Sequence, residues 1–117
     1  MDDRETRITS LWTALNHQDV ETALAQLHPD VDWQDIMNGG RHKGVEAVRA
    51  YWAGVYALIT SGSSSIDYRP IDGDRVAARM LHVIHDKKGA LWSEETMTHV
   101  FTFRDGLISR MDLDEPG

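Results

Sequence analysis

The sequence predicts an α+β fold in which three N-terminal helices pack on one face of a curved, mostly antiparallel sheet. Up to Ile59 the apolar residues recur mainly at helical spacing, and beyond Ile66 the chain is rich in β-branched and aromatic residues divided by short polar turns. Helices first and sequential strands afterwards is the α+β order.

Ile8, Leu11, Trp12 and Leu15 stand at i, i+3, i+4 and i+7, the apolar stripe of a first helix over roughly residues 3 to 16. Asp19 is placed to cap a second, short helix carrying Val20, Ala23, Leu24 and Leu27. It must stop near His28, because Pro29 disfavours helical geometry in the residue before it. A strand from Val31 to Met37 would put Val31, Trp33, Asp35 and Met37 on one face. Gly39, Gly40 and Gly44 then turn the chain into a third helix, whose apolar residues from Val45 to Ile59 include Tyr51, Trp52 and Tyr56. Their arc is too wide for one core stripe, so one side can close a core while the other walls a cavity. The small polar run Ser61 to Ser65 reads as a loop. Asp72-Gly73-Asp74, Asp86-Lys87-Lys88-Gly89 and Asp105-Gly106 divide the remainder into four strands of a meander.

At 117 residues the chain has room for a single domain, 1–117, that buries roughly two thirds of the surface its unfolded form exposes. The formal charge of −7, without a Lys/Arg cluster, speaks against nucleic acid as a partner, since binding there needs a basic surface to displace phosphate counterions. Cysteine is absent, so neither disulfides nor thiolate metal sites can hold the fold, in agreement with a reducing compartment. The charged opening Met1-Asp2-Asp3-Arg4-Glu5 leads into no apolar run, and the expectation is a cytoplasmic protein with no leader and no membrane anchor.

Turn chemistry suggests a register. A two-residue Asp105-Gly106 hairpin pairs Phe103 with Ile108 and, counting back, His99 with Asp112. A four-residue loop over 86–89 pairs His85 with Ala90, hence His82 with Ser93 and Ala78 with Met97. One face then carries Val76, Ala78, Met80, His82, Ile84, Met97, His99, Phe101, Phe103, Ile108 and Asp112, against which the helices pack. The opposite face mixes Arg79, Glu94 and several Thr with Leu81, Val83, Trp92, Val100, Met111 and Leu113, a composition suited to a sheet-to-sheet homodimer. A bulge in the long strand from Ala90 to Phe103 would flip every later assignment.

The helical start, the Trp33-Gln34-Asp35 strand, Gly44 opening a helix and the closing Phe103-Arg104-Asp105-Gly106-Leu107-Ile108 hairpin together resemble the SnoaL-like and ketosteroid isomerase-like branch of the NTF2-like superfamily, over nearly the whole chain. The resemblance implies a cone-shaped α+β barrel, a curved sheet wrapped round three helices, that commonly dimerises. By its distance from Gly44, Asp35 resembles the catalytic base of the ketosteroid isomerases. By its distance from the last hairpin, His99 stands where those enzymes hold a protonated aspartate. Leu11 replaces their first-helix tyrosine, which leaves that oxyanion hole incomplete. The SnoaL-like polyketide cyclases offer a second likeness, an acid and a histidine on the last two strands, as Asp112 and His99 would be.

The leading expectation is a cofactor-independent acid/base enzyme acting on an apolar, carbonyl-bearing molecule by isomerisation or cyclisation. An acid beside large apolar groups is disfavoured in its charged form, which makes Asp35 a candidate base. The alternative reading of Asp35 is a strand-end acid capping the next turn. His99, oriented by Asp112, would donate to the oxyanion, while Trp33, Met37, Trp52, Tyr56, Met80, His82, Met97 and Phe101 would line the ligand pocket. His82 should lie roughly 20 Å from His99 at about 3.3 Å per residue, so the two would not share a metal. No His-x-His or His-Glu-x-x-His occurs, and no metal is expected. His17, His28, His42 and His85 fall at predicted loops or ends and should be solvated. A non-catalytic dimeric module holding a hydrophobic ligand is the second reading. Water addition to an epoxide by an Asp-Arg-Asp group is the third, and it requires an arginine inside the cavity.

Overall fold

The computed structural model describes residues 3–114. Helix α1 runs Asp3–Asn16, α2 Val20–Leu24 and α3 Val45–Leu58, and the strands are β1 Leu27–Gln34, β2 Arg41–Lys43, β3 Ile59–Pro70, β4 Arg75–Asp86, β5 Leu91–Arg104 and β6 Leu107–Leu113. The six strands form one mixed sheet in the order β2-β1-β6-β5-β4-β3, with only β1 and β6 parallel. The predicted α+β class and its three helices therefore stand, and the sheet is an open one.

Each helix follows from its sequence. On α1 the residues Ile8, Leu11, Trp12 and Leu15 are all buried, the 3.6-residue stripe turned onto the sheet. Asp19 caps α2, its carboxylate accepting from the Thr22 N–H at 3.1 Å. Gly44 opens α3 at φ +86°, a left-handed conformation that a side chain would strain. The last hairpin turns on Asp105 and Gly106, both at positive φ, as a type I′ turn requires.

Four expectations are corrected. First, α2 ends at Leu24, and Leu27, His28 and Pro29 already belong to β1. Pro29 is tolerated because the β1–β6 register breaks between Leu27 and Asp32, where no ladder donor is demanded of it. Second, Arg41–Lys43 forms a strand against the end of β1, where only a turn was expected. Third, Ser61 to Ser65 is no loop but the middle of β3, the edge strand paired with β4. Its inward positions Ser61, Ser63 and Ser65 are small because α1 crosses close by, and Asn16 takes both outward backbone groups of Ser63. Asn16 Oδ1 accepts from the Ser63 N–H at 2.8 Å, and Asn16 Nδ2 donates to its carbonyl at 2.7 Å. Packing, not β-propensity, makes this a strand.

The fourth correction concerns register. Trp92 is an extra residue between the Ile84–Ser93 and His85–Leu91 pairs, so His82 faces Glu95, Ala78 faces His99 and Met80 faces Met97. Ser109 is another extra residue, between Thr102–Arg110 and Phe103–Ile108. That bulge, on β6, reverses the facing of everything after it. Met111 is thereby turned into the core, His99 lies opposite Leu113, and Asp112 lies opposite Val100 on the outer face.

The core between helices and sheet contains Ile8, Leu11, Leu15, Val31, Trp33, Val48, Trp52, Met80, Phe101, Ile108 and Met111. It leaves a cavity beside α3.

Candidate functional site: an aromatic pocket over a histidine pair

Between α3, the start of β3 and the inner face of β4 and β5 lies a cavity of about 220 Å³. Its walls are Trp12 from α1, Trp33 from β1, Tyr51, Trp52, Val55 and Tyr56 from α3, and Met97 from β5. Trp33 and Trp52 meet edge to face, ring centres 5.1 Å apart, which fixes both rings. Ile36, Met37 and Trp92 line the cavity too, and Met37 and Trp92 remain about half exposed. Polar atoms enter through Ser61, Ser63, His82, Ser93 and Glu95.

His82 anchors a buried chain of polar groups. Ser63 Oγ lies 2.6 Å from His82 Nδ1, His82 Nε2 lies 2.7 Å from His99 Nε2, and His99 Nδ1 lies 3.3 Å from Met111 Sδ. The four residues come from β3, β4, β5 and β6 in turn. Ser63 and His82 are cross-strand partners, and since the Ser63 backbone groups point away to Asn16 this is a pair whose side chains approach closely. Burial lowers the His82 pKa to about 4, and burial together with the neighbouring His82 lowers that of His99 to about 3. Both rings are neutral at neutral pH.

The predicted separation of His82 and His99 is thus overturned. His82 pairs with Glu95 instead of Ser93, which brings His99 two residues nearer along β5, and the two rings span the remaining distance to meet.

The other predicted residues divide. Trp33, Met37, Trp52, Tyr56, His82 and Met97 all line the cavity. Met80 and Phe101 are fully buried in the core and do not reach it, and His99 lies behind His82. Asp35 is buried on the same side as Val31 and Trp33, but its carboxylate is turned into the following turn. Oδ1 accepts the backbone N–H of Met37 at 2.9 Å and of Asn38 at 2.8 Å, and Oδ2 lies 2.9 Å from His42 Nε2. Burial alone would raise its pKa, yet these donors outweigh burial and hold the carboxyl below its ordinary value. The turn-capping reading of Asp35 describes this geometry. Asp35 also bonds the hydroxyl of Tyr51, whose pKa is raised by burial and by that negative charge. His42 stacks on the Tyr51 ring at 4.4 Å.

Asp112 lies on the opposite face of the sheet from His99. With Asp32, Arg41 and Arg110 it closes a ring of four charges on the outer sheet face. Arg41 Nη1 donates to Asp112 at 3.0 Å, Arg110 Nε to Asp112 at 2.8 Å, Arg41 Nε to Asp32 at 2.5 Å and Arg110 Nη1 to Asp32 at 3.2 Å. No arginine lines the cavity among the described residues. Of the histidines expected in solvent, His28 is buried and lies 3.6 Å from Asp105, and His42 is half-buried against Asp35.

Trp12, Tyr51, Ser61 and Ser63 line the cavity without having been named for it. Trp12 and Tyr51 read from sequence as members of apolar helix faces, and the run Ser61-Gly62-Ser63-Ser64-Ser65 has no polar–apolar alternation to mark a strand.

A SnoaL-like domain model matches residues 8–111. No curated protein sequence matches the chain. Among solved structures it is similar to an NTF2-like protein of unknown function from Burkholderia pseudomallei, with 21% identity over 97% of this chain and 91% of that one and a TM-score of 0.83. A Mycobacterium tuberculosis protein in complex with estradiol-17β-hemisuccinate shares 21% identity over 98% and 95% of the two chains, with a TM-score of 0.81. A Catenulispora acidiphila protein with a ketosteroid isomerase-like fold, in complex with trimethylamine, shares 16% over 93% and 84%, with a TM-score of 0.81. The fold, the aromatic cavity and a match across nearly the whole described chain place this protein in the SnoaL-like domain family.

Proposed function

We propose that the protein binds a small, largely apolar molecule in the cavity beside α3, with one polar group of that molecule directed to Ser63 and His82. The observation that carries this is the cavity itself: about 220 Å³ walled by aromatic and apolar side chains, with its buried polar atoms gathered at one end. That volume suits a molecule of one or two fused rings. The estradiol derivative bound by the M. tuberculosis relative supports the same class of ligand.

Binding is favoured over turnover by the state of the expected catalytic groups. Asp35, proposed from sequence as the base, has both carboxylate oxygens occupied and a lowered proton affinity, the opposite of what proton abstraction near neutral pH needs. His99 and Asp112, expected as donor and orienter, lie on opposite faces of the sheet. Isomerase-, cyclase- and epoxide hydrolase-type chemistry would each need a proton-transfer group in the cavity other than these three. The outer sheet face, with Leu81, Val83 and Val100 half-buried and apolar, supports a homodimer as the assembly that leaves the cavity free.

Titration with 1-tetralol, read by tryptophan fluorescence and by amide shifts, tests the proposal. Saturable binding with shifts at Tyr51, His82 and Met97 is expected; shifts confined to the outer sheet face would refute it. Asp35→Asn should bind equally well. Deuterium exchange at the α-carbon of bound 1-tetralone that vanishes in Asp35→Asn would instead restore the enzyme.

A further inference from the structure

The geometry points to a ligand whose buried polar group is a hydrogen-bond donor, an alcohol, phenol or amine, because the hydroxyl protons of Ser61 and Ser63, at the buried end of the cavity, are committed away from it. This inference rests on the binding function proposed above and names its ligand class.

Met111 fixes the order of the protons. A neutral imidazole has one N–H and one bare nitrogen, and the 2.7 Å contact between His82 Nε2 and His99 Nε2 holds a single proton. Two arrangements of the chain are possible. In one, Ser63 donates to His82 Nδ1, His82 Nε2 donates to His99 Nε2, and His99 Nδ1 donates to the Met111 sulfur. In the other all directions reverse, and His99 Nδ1 presents a lone pair to the Met111 thioether, which has no proton to give. That leaves a fully buried acceptor unpaired, the more unfavourable alternative. The first arrangement holds, and in it the only proton of Ser63 points at His82.

The neighbouring hydroxyls lead the same way. Asn16 Nδ2 is engaged with the Ser63 carbonyl, so its Oδ1 accepts, and Ser61 donates to that oxygen at 3.3 Å. Tyr51 bonds the Asp35 carboxylate, which can only accept, and its oxygen takes the Ile36 N–H, so it turns no proton to the cavity. Ser61 and Ser63 therefore offer oxygen lone pairs to the cavity, and Glu95 adds a carboxylate near its mouth. The indole N–H groups of Trp12 and Trp33 have no hydrogen-bond partner among the described residues, but both nitrogens are buried and do not open onto the cavity surface. A carbonyl placed against Ser63 would meet acceptor against acceptor, or force the whole chain to reverse.

The test compares 1-tetralol with 1-tetralone, which share one skeleton and differ in this group, by calorimetric titration of the intact protein. The alcohol is expected to bind about tenfold more tightly, the value of one hydrogen bond against an unpaired buried acceptor. Met111→Leu removes the sulfur outside the cavity and should bring the ratio toward one. Imidazole ¹⁵N spectra of the free protein should show His99 protonated at Nδ1 and His82 at Nε2. Equal affinities, a preference for the ketone, or a proton on His99 Nε2 would overturn the inference while leaving the binding function intact. Failure of both compounds to bind would overturn both.

Discussion

A buried carboxylate keeps its charge only where donors surround it, and Asp35 has two backbone N–H groups, His42 and Tyr51. Asp35→Ala would strand those groups and should cost about 2 kcal/mol in denaturant unfolding. Asp35→Asn should cost less, because its side-chain oxygen still accepts from the turn. His82 and His99 meet burial with no such compensation and stay neutral. Their folded pKa values, about 4 and about 3, lie below the unfolded value, so below about pH 6.5 the unfolded chain binds more protons than the folded one. Their contribution is therefore whole above that pH and is lost as the pH falls toward the folded values. The expected slope is about 1.4 kcal/mol per pH unit for each ring. Denaturation midpoints between pH 7 and 5 measure it, and His82→Gln should flatten the slope by one ring's share.

At the scale of elements, β3 depends on a tether at its free edge. Asn16→Ala would leave the Ser63 N–H and C=O without their partner and should cost about 1–3 kcal/mol, with faster hydrogen exchange at the Ser63 amide as the local readout. An unchanged exchange rate would mean that the edge is held elsewhere. The same strand shows where sequence reading stops. The helices were legible because Ile8, Leu11, Trp12 and Leu15 repeat at 3.6 residues and Asp19 caps its neighbour, both local signals. Ser61 to Ser65 carries turn composition, and only the crossing of α1 and the pairing with β4 make it a strand. The inward face was legible as far as Phe103, since the pairing of β4 with β5 is displaced by two residues, His82 facing Glu95 instead of Ser93, and a shift of two keeps every side chain on its face. The extra residue at Ser109 then exchanged Asp112 for Met111. A bulge is decided by strain and closure of the whole sheet, so one strand's sequence does not announce it. The candidate site was accordingly legible in most of its apolar wall and in His82, and illegible in Ser63 and in the contact of His82 with His99.

At the scale of the molecule, all four tryptophans of the chain, Trp12, Trp33, Trp52 and Trp92, line one cavity. They do so on different terms. Trp33 is 1% exposed and packs against Trp12, Trp52 and Phe101, whereas Trp92 is 56% exposed on the bulge that begins β5. Removing the first withdraws core as well as cavity wall, so Trp33→Ala should destabilise the fold by about 3–5 kcal/mol and abolish binding only by way of that loss. Removing the second takes away a side chain that already faces water in the free protein. Trp92→Ala should leave the unfolding midpoint within about 0.5 kcal/mol of the parent while weakening a bound tetralin-sized ligand, since burial of that ring on binding is then forgone. Parallel titration and denaturation of the two variants separates wall from core. If Trp92→Ala binds as the parent does, the ligand lies wholly beneath the bulge and the mouth of the cavity contributes nothing to affinity.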